Sequence, residues 1–139
     1  MTAKEYLQQY GDAEKLVEQI QEEYDEEMEM VDNIRSSLGG DGLPHGGDIC
    51  REVEDKAVAL AEKAQELKEA EIWAVATRQQ IYETIQKVPG VPRDVLIERY
   101  VHLKKWKDVA VAVNYSISHT HVLHWEGLDY LQNLIDRKR

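Results

Sequence analysis

From Tyr6 onward the apolar residues step alternately by four and three: Tyr6, Tyr10, Ala13, Val17, Ile20, Tyr24, then Val31, Ile34 and Leu38, with Glu27 at a polar position in the series. A stripe with that spacing must be covered along its length, so it predicts a helix from about Ala3 to Ser37 packed against another helix. A matching stripe follows. Val53, Ala57, Leu60, Ala64 and Leu67 keep the stepping, which then drifts through Ala70, Ala74, Ile81 and Ile85. That predicts a second long helix from about Asp48 to Lys87, with Asp48 as its N-cap and Arg51 and Glu52 in its first turn. The small residues Ala57, Ala64, Ala70 and Ala74 permit close helix approach.

Between the stripes lies LGGDGLPHGGD (38–48), where five glycines and a proline in eleven residues forbid a continuous helix. It lacks the GK[ST] ending of a phosphate loop and reads as a hinge. Val88-Pro89-Gly90-Val91-Pro92 ends the second helix, because each proline drives the residue before it to extended backbone. The expectation is an all-α chain: a coiled-coil-like hairpin arm over 1–88 and a separate head over 93–139. The arm folds on itself, or pairs with a second copy to make a homo-oligomer.

Charge follows the same division. Residues 1–92 hold nine Lys/Arg against twenty-one Asp/Glu, a balance of −12. Residues 93–139 hold eight against six, a balance of +2. The run Glu22-Glu23-Asp25-Glu26-Glu27-Glu29 reads as a solvated face of the first helix. With no Phe and only 7% aromatic residues, the core must come from Leu, Ile, Val and Ala. No apolar run approaches the roughly 20 residues needed to cross a membrane. MTAKEYLQQY has neither the basic start nor the apolar stretch of a signal peptide, and the lone Cys50 suits a reducing compartment, so a cytoplasmic protein is expected.

The head reads as a helix-turn-helix. Asp94 opens a third helix with Val95, Leu96, Ile97 and Tyr100 as its apolar residues. Trp106–Val113 gives an amphipathic helix that buries Trp106, Val109, Ala110 and Val113, with Lys107 and Asp108 outward. Asn114-Tyr115 gives the turn. Ser116 caps a second short helix by accepting from the amide of Ser118 or His119. Leu123, Gly127, Leu128 and Leu131 keep its inward spacing. Ile117, Ser118, His121, Val122 and Trp125 then fall on or near its outward face, where His and Ser suit base edges or phosphates and Val suits a thymine methyl. Between Ser116 and Tyr130 there is no Arg, Lys, Asn or Gln. Phosphate contacts are therefore expected from Lys104, Lys105, Lys107 and the tail Arg137-Lys138-Arg139.

His119, His121 and His124 do not make a metal site on this spacing, because no carboxylate or Cys joins them and HExxH is absent. His119 and His124 are expected to pack or cap locally. Cys50 and His45 do not make a catalytic dyad, so no enzyme activity, metal or cofactor is expected.

The stretch RYVHLKKWKDVAVAVNYSISHTHVLHWEGLDYL resembles the region-4-like helix-turn-helix of bacterial sigma factors. It is closer still to small phage late-gene regulators of the RinA/ArpU type. The residues that carry the likeness are Arg99-Tyr100, Trp106, Asp108-Val109-Ala110, Tyr115-Ser116, His119, Leu123-His124 and Leu128. Thr120 departs from it, standing where an apolar β-branched residue is usual, as does Gly127, which replaces a common Ala. The resemblance implies a phage-encoded regulator in the bacterial host cytoplasm. It would bind promoter DNA beside host RNA polymerase and switch on late, structural, packaging or lysis genes, and the helix-turn-helix positions expected to touch that DNA are Lys104, Lys105, Lys107, Ser116, Ser118, His119, His121, Val122 and Trp125. Two other readings fit the acidic arm and the weakly charged reading face: an adaptor that imitates a sigma factor and binds a host protein, and a small terminase-like packaging subunit.

Overall fold

The computed structural model describes residues 1–38 and 47–138, and side chains over 1–36 and 51–138. Of the hinge expected at 38–48, residues 39–46 with His45 lie outside the described residues, as do the Leu38 and Cys50 side chains and Arg139. The described chain is all-α. It comprises α1 (Ala3–Leu38), α2 (Gly47–Ile85), α3 (Val91–Leu96), a π-helical turn (Ile97–Val101), α4 (Trp106–Val113) and α5 (Ile117–Arg137).

Two compact units form. One joins Met1–Glu14 to Trp73–Arg139, and the other is Lys15–Ile72. These units do not follow the proline-marked division at 88–93. The reason is packing: α5 runs to Arg137, far beyond the short helix expected, and its second half needs a cover. Leu128 and Leu131 find it in Ala3 and Leu7 of α1 and in Ile81, Ile85 and Val88 at the end of α2. Leu96, Tyr100 and Val101 complete this core. Gln132 Oε1 accepts from the Ala3 amide at 2.9 Å, tying the start of α1 to α5. Here α1 and α2 run antiparallel, with Tyr6 Oη 3.3 Å from Thr84 Oγ1 and Tyr10 beside Arg78. A second cluster, Val95, Val109 and Leu123, sits between α3, α4 and α5.

The Lys15–Ile72 unit pairs the remaining length of α1 with the first part of α2. The α1 stripe lies as the spacing predicts, with Ile20 and Val31 buried and Val17, Tyr24, Glu27 and Ile34 half-buried. The α2 stripe does not. Ala57 and Ala64 are exposed, and Lys56 and Lys63 hold those places beside Val53, Leu60 and Leu67. A lysine stem covers apolar surface while its ammonium reaches charge, which an alanine cannot do. Lys63 Nζ lies 2.7 Å from Glu23 and 3.3 Å from Glu66. That hydrogen bond holds the Glu23 carboxyl below its usual range and raises the lysine. Ala70 and Ala74 are buried, as expected of close-approach positions.

Helix starts also shift. Gly47 opens α2 ahead of Asp48, which therefore stands in the first turn rather than at the cap. Val91, not Asp94, opens α3, and Pro92 sits in its first turn, where its missing N–H costs nothing. Gly90 precedes it at φ 77, a backbone region that favours glycine.

Candidate nucleic-acid interface

The interface is built on the α4–turn–α5 hairpin. Helix α4 covers Trp106–Val113, as the spacing predicts. It ends on Asn114 in the left-handed region (φ 63), with the Asn114 amide bonded to Val111 O and the Tyr115 amide to Ala110 O. That double bond pattern is a Schellman closure, with asparagine in the place usually given to glycine. Ser116 Oγ then accepts from the His119 amide at 3.1 Å and caps α5. Thr120 is fully buried, and its Oγ1 donates to Ser116 O at 2.8 Å. The hydroxyl is thus satisfied where an apolar residue is usual.

Gly127 has a packing reason as well. A Cβ there would lie 2.9 Å from Leu96 Cδ1 and 3.2 Å from Leu96 Cγ, so glycine lets α3 approach α5 closely.

Trp106 joins the two helices from above. The Arg99 guanidinium lies 4.7 Å from its ring centroid, and the rings of His121 and His124 lie at 4.4 and 4.7 Å. Arg99 Nη1 also donates to Lys104 O at 2.8 Å, pinning the loop that leads into α4. That loop leaves the π-helical turn, where the His102 amide reaches Ile97 O, and it passes through Leu103 in the left-handed region (φ 55). Sequence periodicity carries no signal for either feature.

His124 is buried rather than displayed. A hydrogen bond of 2.7 Å joins its Nε2 to Tyr100 Oη, while Nδ1 has no partner. Burial, with the neighbouring Lys4, His121 and Arg99, pushes its pKa down to about 4. Burial likewise pushes Tyr100 up to about 12. His124 is therefore a neutral structural group.

On the outward face the structure brings together Ile117, Ser118, Val122 and Trp125, all exposed, with His121 half-buried against Trp106. His119 is exposed, its ring 4.8 Å from that of Tyr115. Lys105 and Lys107 are exposed at the start of α4. Lys104 differs from expectation: its ammonium is ion-paired with Glu98, which His102 Nδ1 also approaches at 3.3 Å. Burial raises the Glu98 pKa, but the bonds from Lys104 and His102 outweigh it and hold the carboxyl below its usual range. Lys104 thus secures the loop. In its place stands Lys4, whose Nζ lies 5.8 Å from the Trp125 ring centroid. Sequence reading misses Lys4 because nothing in α1 signals that its first turn lies beside α5.

Among the described residues, no three or more His, Cys, Asp or Glu gather as a metal would need, and no helix is long and apolar enough to cross a membrane. Comparison with protein-family models, curated proteins and solved structures yields no match.

Proposed function

We propose that this protein is a phage-type transcriptional regulator that lays the first turns of α5 in the DNA major groove and acts beside host RNA polymerase. The observation that carries the reading is the grouping of Ile117, Ser118, His121, Val122 and Trp125 on one side of a capped helix. A helix held by a tight turn and presenting a free side chain row at its N-terminal half is the geometry of major-groove reading. Lys105, Lys107 and Lys4 supply phosphate contacts around it. Three cations give modest affinity, so a second copy or polymerase itself supplies the remainder, through the acidic arm.

The test is retention of fragments of the encoding genome at two salt concentrations. One intergenic fragment is expected to be held, more weakly at high salt. The double variant Lys105→Glu, Lys107→Glu should keep its helical spectrum and lose that binding. Single neutral replacements should each lower the salt slope by about one. Unchanged affinity in the double variant defeats the assignment. Lys104 is a poor probe, because its replacement strands Glu98.

A second reading rests on the exposure of Ile117, Val122 and Trp125, at 48%, 51% and 56%. An apolar face of this kind also suits an adaptor that docks on a host protein. That reading requires a stable complex with polymerase core in the absence of DNA.

A further inference from the structure

The reading face has a chemical character that narrows what it can recognise. Side chains that commonly discriminate bases do so by paired hydrogen bonds: Arg or Lys to guanine, Asn or Gln to adenine. The exposed first turns of α5 contain none of these. Of the two polar groups on the face, the His121 ring is already engaged with Trp106, 4.4 Å between centroids. Three large apolar side chains remain, each about half exposed. Trp125 also meets the edge of the buried His124 ring at 5.3 Å, yet all three keep about half of their surface in water, which is costly.

The major groove offers apolar surface in one place, the C5 methyl group of thymine. On a rise of roughly 1.5 Å per residue, Ile117 to Trp125 spans about 12 Å, or three to four base steps of about 3.4 Å. Lys4 stands over the Trp125 ring at 5.8 Å, and the exposed Lys105 and Lys107 flank Trp106, which packs on His121, so cations accompany the row and suit a polyanion.

We infer that α5 recognises thymine-rich duplex through methyl contacts from Ile117, Val122 and Trp125, with Ser118 as the hydrogen-bonding reader beside them. This rests on the DNA-binding reading above and gives it a substrate class. Binding free energy comes from burying methyl groups, each worth about fourfold in affinity. Specificity is then a count of methyls at the right spacing rather than a pattern of donors and acceptors.

The experiment removes the methyls and nothing else. A pool of fragments of the encoding genome is copied once with dTTP and once with dUTP, and binding to the two pools is compared for the intact chain and for Val122→Ala. Val122 is half exposed, so this variant keeps the fold. The intact chain is expected to bind the uracil copies about tenfold or more weakly, with a clearly smaller ratio for Val122→Ala. Equal affinity for both pools overturns the inference and leaves DNA binding standing. An undiminished ratio in Val122→Ala makes the loss a property of the duplex and overturns the assignment to this face. Retention of neither pool overturns the DNA-binding reading, and this inference with it.

Discussion

Two buried residues set how α5 responds to change. His124 lies 2% exposed and neutral, with its pKa near 4. A histidine in an unfolded chain titrates near about 6.5. Between those values the folded protein binds fewer protons than the unfolded chain. The stabilisation is therefore complete above about pH 6.5 and is lost as pH falls toward 4. A urea midpoint that falls across this interval is expected, and a flat one would contradict the burial of a neutral imidazole. At Gly127 the sign reverses a common intuition. Alanine improves helix propensity by about 1 kcal/mol, but its methyl would press on the fully buried Leu96. Overpacking costs about 1–3 kcal/mol, so Gly127→Ala is expected to lower the melting temperature.

Elements were legible where their determinants are local. The bounds of α4, the Asn114 turn and the Ser116 cap all follow from neighbouring residues, and the structure has them as the spacing predicts. Ser116→Ala should cost about 1 kcal/mol, seen as a drop of several degrees in thermal unfolding followed by circular dichroism. Where two registers compete, the sequence pattern was ambiguous. Ala57 and Ala64 fit the apolar stripe by polarity, yet Lys56 and Lys63 occupy it, and at Lys63 the facing Glu23 rewards a cation with a long stem. The π-helical turn was illegible for another reason. It is tied to the loop that follows by the bond Arg99 donates to Lys104 O and by the Lys104 ammonium on Glu98, and apolar spacing does not encode them. The same bonds removed Lys104 from the expected phosphate contacts.

For the molecule as a whole, the proline boundary marks where a helix stops but not where a core stops. The helix-turn-helix looks self-contained in sequence, yet Leu128 and Leu131 are covered by Ala3, Leu7, Ile81 and Ile85. The isolated segment 89–139 is expected to unfold without a cooperative transition, whereas the full chain should melt cooperatively. Amide dispersion in a proton–nitrogen spectrum separates the outcomes. A well-dispersed spectrum from that segment would refute the dependence on α1. The tie between the Ala3 amide and Gln132 spans 129 positions. A ribosome adding roughly 5–20 residues per second makes the first partner roughly ten seconds before the second. During that interval Ala3 and Leu7 wait without the cover that Leu128 and Leu131 later give them. The order of synthesis thus sets when this core can close.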